Sequence, residues 1–188
     1  MDNPSAPPLV RLTKGVHLVV AAARLPIRNP LVLTAEDRRI VFVMPRAGNV
    51  LLGTTDTDFA GDPERVVVES DDIGYLLGVV NEALPGLALG ADDVSYSFAG
   101  LRALLRPSGG AKPSAVSREE LIEESSSGLL TVAGGKLTTH RAIAEQVVDR
   151  LVRRLAWPGR KCATRVAPLP GARQLQDDGF LRASSPDS

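Results

Sequence analysis

The C-terminal half of the sequence contains a strand, two glycines and a long amphipathic helix in direct succession. The apolar run GLLTVA (128–133) is followed by GGK, and a helix is predicted over about 137–155. The apolar positions at intervals of four are Ile143, Val147, Leu151 and Leu155. That spacing places them on one face of an α-helix. The segment is therefore predicted to be a βα unit that follows a chain rich in strands.

Two long strands are predicted before this unit. Over residues 10–20 apolar and polar positions alternate, which indicates a half-buried strand with His17 pointing away from the apolar face. Over residues 94–105 the apolar parity changes beside Gly100. Such a change predicts a bulge or kink, with Arg102 on the polar face.

Shorter segments complete the predicted architecture. The runs 39–45 and 50–57 predict a hairpin, and the three valines at 66–68 predict a short edge strand. Ser70 is placed as the N-cap of a helix over about 71–84. The predicted fold class is α+β, with a mostly antiparallel sheet and a terminal βα unit.

Charge and residue usage exclude several classes of function. Lys+Arg and Asp+Glu both total 22, so the net charge gives no attraction to nucleic acid. Cys162 is the one cysteine and there are two histidines, so no zinc site is expected and no metal is predicted. The sequence shows no signal peptide and no apolar run of membrane-spanning length. We expect a cytoplasmic protein, with peripheral association at the inner face of the cell membrane left open.

The turn AGGKLTTHR (133–141) allows two interpretations. A phosphate-binding P-loop is excluded, because Leu130 stands where its first glycine belongs and Leu137 where Ser or Thr belongs. A glycine turn before a helix can still bring backbone N–H groups to an anionic ligand, with Lys136 as an added cation. The alternative is a plain connection with Thr138 or Thr139 capping the helix.

The polar run TTDTDFAGD (54–62) suggests calcium, but the pattern fails. An EF-hand loop would need Asp or Asn at the position of Ala60 and Glu at that of Val67. The run is therefore interpreted as an acidic surface loop with side-chain-to-backbone turns.

Seven segments together carry a resemblance to a known family. They are RLTKGVHLVV, RIVFVMP, LLGTTDTDFAGDPE, DDIGYLLGVVNEALP, FAGLRALL, SREELIE and LLTVAGGKLTTHR. In this order, over about Val10 to Arg165, they resemble the FAD-dependent, quinone-linked glycerol-3-phosphate dehydrogenases. Departures are Ala103 where Pro normally follows the arginine, His140 where Tyr is usual, and the absence of the GxGxxG fingerprint for FAD.

The resemblance implies a domain organisation of the amino-acid-oxidase-like type. It implies a lead-in over 1–13, a substrate-binding domain over 14–116, the C-terminal part of an FAD-binding α/β domain over 117–156, and over 157–188 the truncated start of a helical domain. The missing fingerprint leads us to expect a fragment. Whether an N-terminal half acts in trans is left open.

The resemblance also implies residue roles. Arg102 and Arg118 would hold the substrate phosphate, Lys136 would lie beside the flavin and the reacting carbon, and His17 would be the candidate base. The implied catalytic residues are His17, Arg102 and Lys136, and the implied substrate-binding residues are Arg102, Arg118 and Lys136. The implied cofactor-binding residues are Gly134, Gly135, Lys136, Leu137 and Thr138.

The implied reaction is oxidation of glycerol 3-phosphate to dihydroxyacetone phosphate, with hydride transfer to N5 of FAD and electrons passed to quinone. Two alternatives are kept. The chain is a non-catalytic remnant or scaffold fragment, or it belongs to a related FAD-dependent amine or amino-acid oxidase.

Overall fold

The computed structural model describes residues 8–106, 120–159 and 161–170. The chain divides into two compact units, the first ending at Gly134 and the second beginning at Gly135. The first is built from antiparallel strands with one α-helix, and the second contains another α-helix. The predicted α+β class is confirmed. None of the helices in the described ranges is long and apolar enough to cross a membrane.

The strands of the first unit form two sheets. The strands are β1 (Val10–Ala21), β2 (Leu31–Thr34), β3 (Ile40–Arg46), β4 (Asn49–Gly53), β5 (Thr57–Asp58), β6 (Val94–Leu105), β7 (Glu120–Glu124) and β8 (Leu130–Gly134). The larger sheet has the order β2-β3-β4-β1-β5, and β6 pairs with β1. The smaller sheet is the antiparallel pair β7–β8.

Strand β1 is the centre of the larger sheet. One of its edges pairs with β6 from Val10 to Val20, while the other pairs first with β5 and then with β4. The side chains of Val16, Leu18 and Val20 are fully buried. The predicted alternation is therefore confirmed, and one face of the sheet is the core face.

Helix α1 (Ser70–Ala83) covers that core face. Its buried side chains include Leu76 and Val80, which lie four residues apart and join the valines of the sheet in one apolar cluster. The helix begins one residue earlier than predicted. Its N-cap is Glu69 rather than Ser70, because the Asp72 carboxylate accepts a hydrogen bond from the Glu69 N–H at 3.0 Å.

Two other predictions about the first unit are wrong. Residues 66–68 form no strand; they lead into α1, and the Val67 carbonyl faces the Lys14 ammonium at 3.5 Å. No bulge occurs at Gly100, and the register shift lies between Val19 and Val20 instead. The parity change in the sequence has another cause, which is that Phe98 lies on the face opposite the core.

The second unit starts with a 3₁₀ turn at Leu137–Thr139 and continues as α2 (His140–Arg154). A continuous helix from Leu137 was predicted. The first turn is tighter, with the Thr139 N–H donating to the Lys136 carbonyl at 3.0 Å. No residue of α2 is buried in the described part of the chain.

Candidate active site on the open face of the sheet

The face of the large sheet opposite the core brings two of the predicted site residues together. Opposite residues of an antiparallel pair project to the same face. His17 of β1 is opposite Phe98 of β6, and Thr13 is opposite Arg102. His17 and Thr13 are separated by an even number of positions on β1, and so are Phe98 and Arg102 on β6. All four side chains therefore project to one face, and His17 and Arg102 both lie on the open face.

His17 is held between an aromatic ring and a glycine. Its imidazole stacks on Phe98 with ring centroids 5.0 Å apart and planes 11° apart. On the other side, the residue opposite His17 on β4 is Gly53. A Cβ added to Gly53 would lie 2.9 Å from the imidazole atoms Cγ and Nε2. Burial lowers the pKa of His17, and the nearby positive charge of Arg102 lowers it further. Both effects favour the neutral imidazole, which is the form that can accept a proton.

Arg102 is bound by the loop 54–56. Its Nη2 donates to Thr54 Oγ1 at 2.9 Å, and its Nη1 donates to the Thr55 carbonyl at 3.3 Å and to Asp56 Oδ1 at 3.2 Å. The Asp56 carboxylate thus forms an ion pair with the guanidinium. Charge and hydrogen bonding fix the orientation of Arg102 before any ligand is present.

The interpretation of 54–62 as an acidic surface loop is only partly right. Thr57–Asp58 form β5 of the sheet, whereas Asp62 makes the predicted side-chain-to-backbone turn, since its Oδ1 accepts the Glu64 N–H at 3.0 Å. Thr55 is almost fully buried, and its Oγ1 accepts the Val16 N–H at 2.9 Å. This hydroxyl takes a backbone position in the gap between β4 and β5. Asp58 binds the Arg11 guanidinium through both carboxylate oxygens. Thr55 and Asp58 therefore each have a specific hydrogen-bond partner on β1.

Apolar side chains surround His17 on the open face. Phe42, which is opposite Gly53 in the β3–β4 pair, remains substantially exposed, as do Tyr96 and Phe98 on β6. Monomeric proteins seldom leave such rings clustered on a surface without a use. This face combines a neutral proton acceptor, an oriented cation and apolar rings, which suits a small anionic substrate next to an apolar planar group.

The glycine turn stands at the junction of the two units. Gly134 and Gly135 have φ values of 74° and 81°, a region that favours glycine. Lys136 is exposed, and Leu137 is 87% exposed. The first N–H groups of the 3₁₀ turn have no partner within it, so Leu137 and Thr138 present backbone donors.

Three residues that support Arg102 were not identified from the sequence, namely Thr54, Asp56 and Gly15, over which the guanidinium lies. The available signal was the polar run GTTDTD directly after a strand, together with a glycine two residues before His17. Arg118 was identified from the sequence but lies outside the described residues. Within the described ranges, no group of His, Cys, Asp and Glu could hold a metal ion.

Comparisons with known proteins show the family to which the chain belongs. The model of a family described as FAD dependent oxidoreductase matches residues 1–150. The aerobic glycerol-3-phosphate dehydrogenase of Bacillus subtilis is 39% identical over 163 residues, covering 85% of this chain and 29% of that protein. The alpha-glycerophosphate oxidase of Enterococcus casseliflavus is 34% identical over 202 residues, covering 79% of this chain and 33% of that protein.

A solved structure is similar as well. The X-ray structure of the glycerol-3-phosphate dehydrogenase from Bacillus halodurans, complexed with FAD, matches with a TM-score of 0.75 and 35% identity. The match covers 93% of this chain and 34% of that one. The chain therefore spans about a third of the length of these similar proteins.

Proposed function

The chain belongs to the family of FAD-dependent oxidoreductases, and we propose that it forms part of an enzyme that oxidises glycerol 3-phosphate to dihydroxyacetone phosphate. The observation that carries the proposal is that His17 and the oriented Arg102 lie on the same open face. The names of the similar proteins support the choice of substrate. The use of quinone as electron acceptor, and a cytoplasmic location with or without peripheral membrane association, rest on the sequence resemblance alone.

Each residue has a proposed role that follows from its chemistry. Arg102 binds the phosphate, because a guanidinium matches phosphate oxygens with paired donors. His17 accepts the proton of the C2 hydroxyl, since its lowered pKa keeps the imidazole neutral. FAD, when bound, would supply the acceptor for the hydride that leaves C2. Arg118 is proposed as a second phosphate ligand, on the resemblance.

The turn 134–138 is proposed to contact the flavin. Two adjacent glycines at positive φ leave the backbone uncovered, so a ring can approach its N–H groups. Lys136 would add a positive charge that favours the reduced, negatively charged form of a bound flavin. The residues that would contact FAD are Gly134, Gly135, Lys136, Leu137 and Thr138.

The test measures glycerol-3-phosphate-dependent reduction of an artificial electron acceptor by the FAD-loaded protein. Arg102→Met should lower kcat/KM by about 10- to 100-fold, which corresponds to the loss of charged hydrogen bonds worth roughly 1.5–3 kcal/mol. Arg65→Met is the matched control, because Arg65 is a strongly exposed arginine with only a 3.7 Å ion pair. Equal activity of both variants, or turnover of an amino acid but not of glycerol 3-phosphate, would refute the proposal.

A further inference from the structure

Arg102 reaches its partners by crossing the central strand. It starts on β6, which pairs with one edge of β1, while its partners Thr54, Thr55 and Asp56 lie at the other edge. The crossing point is Gly15. A Cβ built on Gly15 would lie 2.6 Å from Arg102 Nη1 and 2.7 Å from Cζ, which is closer than atoms can pack. Any side chain at position 15 would therefore displace the guanidinium.

The loop 54–56 also determines which donors of Arg102 remain for a ligand. A guanidinium has five N–H donors. The three hydrogen bonds to the loop use Nη1 twice and Nη2 once. The Nε–H and one Nη2–H make no hydrogen bond to residues that the structure describes. These two donors can bind two oxygens of one anion, which is the bidentate mode that arginine uses for phosphate.

We propose that Gly15 and Asp56 are positioning residues, which hold the Arg102 guanidinium across β1 so that its remaining donors face the anionic group of the substrate. The identity of that group as a phosphate rests on the proposed function. Gly15 acts by leaving room, and Asp56 acts by anchoring the Nη1 side. Neither needs to touch the substrate.

The chain contains an unusually direct reporter for the position of Arg102. It has two histidines, and the charge of Arg102 acts on the pKa of one of them, His17. His140 lies in the second unit and serves as the reference signal. NMR titration of the His17 imidazole therefore reports the position of the guanidinium without any need for activity. Inorganic phosphate is the probe for the anion site.

The central variant is Gly15→Ala, and Gly100→Ala is its matched control. Gly100 is the cross-strand partner of Gly15, but a Cβ there would meet no atom within 4 Å. Gly15→Ala should unfold at nearly the wild-type temperature, because only the flexible end of a side chain has to move. It should change the His17 titration and weaken phosphate binding about tenfold or more. Gly100→Ala should leave both unchanged.

Asp56→Asn provides a second test that adds no bulk. It should weaken phosphate binding and change the His17 titration in the full chain, and in the FAD-loaded enzyme it should raise KM more than it lowers kcat. Wild-type phosphate binding and His17 titration in both Gly15→Ala and Asp56→Asn would overturn the inference. If Arg102→Met itself left phosphate binding unchanged, the phosphate site would be wrong as well, so the proposed function would fail by a separate result.

Discussion

Asp72→Ala is expected to destabilise the protein by about 3–5 kcal/mol, because it leaves a buried ammonium without its main partner. Lys14 Nζ lies 2.7 Å from Asp72 Oδ2, and each of the two side chains is only 7% exposed. The same carboxylate accepts the Glu69 N–H at the start of α1. Its loss therefore removes an ion pair and a helix cap together.

Glu69→Gln is the comparison that shows whether burial determines the free energy lost in Asp72→Ala. Glu69 Oε2 is as close to Lys14 Nζ, at 2.6 Å, but the Glu69 side chain is 66% exposed. A pair with one exposed partner is worth about 0–1 kcal/mol. At roughly 2–4 °C per kcal/mol for a chain of this size, Asp72→Ala should lower Tm by about 6–20 °C, and Glu69→Gln by no more than about 4 °C.

Far-UV circular dichroism during thermal and urea unfolding measures both effects. Trp157 lies in the second unit, so its fluorescence is not the proper probe for the first. Lys14→Met/Asp72→Leu is the control, since replacing a whole buried pair by apolar residues costs far less than removing one partner. Equal losses for Asp72→Ala and Glu69→Gln would refute the reasoning that burial determines the cost.

The pH dependence of the same pair has a defined sign. Burial alone would lower the pKa of Lys14, but the hydrogen bonds to Asp72 and Glu69 and their negative charges together outweigh it and raise that pKa above 10.5. A raised pKa in the folded state means that protonation favours folding. The stabilisation is complete below the ordinary pKa and is lost as pH rises through the raised one. Asp72→Ala should therefore lower Tm at pH 7 and have a smaller effect in strongly alkaline solution.

Three further predictions concern the first unit. Thr13→Val should raise the free energy of unfolding by about 1 kcal/mol, because Thr13 Oγ1 is buried without a partner in the described part of the chain; urea unfolding measures this, and a loss would contradict it. Gly53→Ala should destabilise by about 1–3 kcal/mol and disturb the His17 ring signals, since its Cβ would overlap a rigid imidazole; unchanged NMR spectra would be the opposite result. The pKa of Asp93 should be about 2 by carboxyl NMR, and Arg24→Met should raise that pKa, because the Arg24 side chain binds the carboxylate. The stabilisation that the Asp93 carboxylate contributes is present above pH 3.8 and is lost as pH falls through its pKa in the folded state.

The local sequence pattern was sufficient to predict the helices and strands that have one apolar and one polar face. The alternation along β1 placed His17 opposite the core, and the apolar spacing placed α1 and α2 to within a few residues. The valines at 66–68 have high strand propensity, but they pair with no strand among the described residues, so tertiary context overrides the propensity.

The supporting residues of the site could not be predicted in the same way. The bonds from Arg102 to Thr54 and Asp56 join positions 48 and 46 residues apart, and the guanidinium that makes them lies over Gly15. Burial of Lys14 with Asp72 likewise depends on how α1 docks on β1. Such long-range contacts cannot be predicted from local sequence spacing. The face on which Arg102 lies could be predicted, because it depends only on the alternation within its own strand.

The alternation of β1 divides two tasks between neighbouring residues. Positions 16, 18 and 20 support the core, and positions 13, 15 and 17 belong to the open face with the candidate site. Deleting a single residue within 13–17 would interchange the two sets, so that one short genetic change would remove packing and chemistry together. Deleting two residues would preserve the parity. The strand can therefore tolerate changes of length only in steps of two, and tolerance of even but not odd deletions would be its genetic signature.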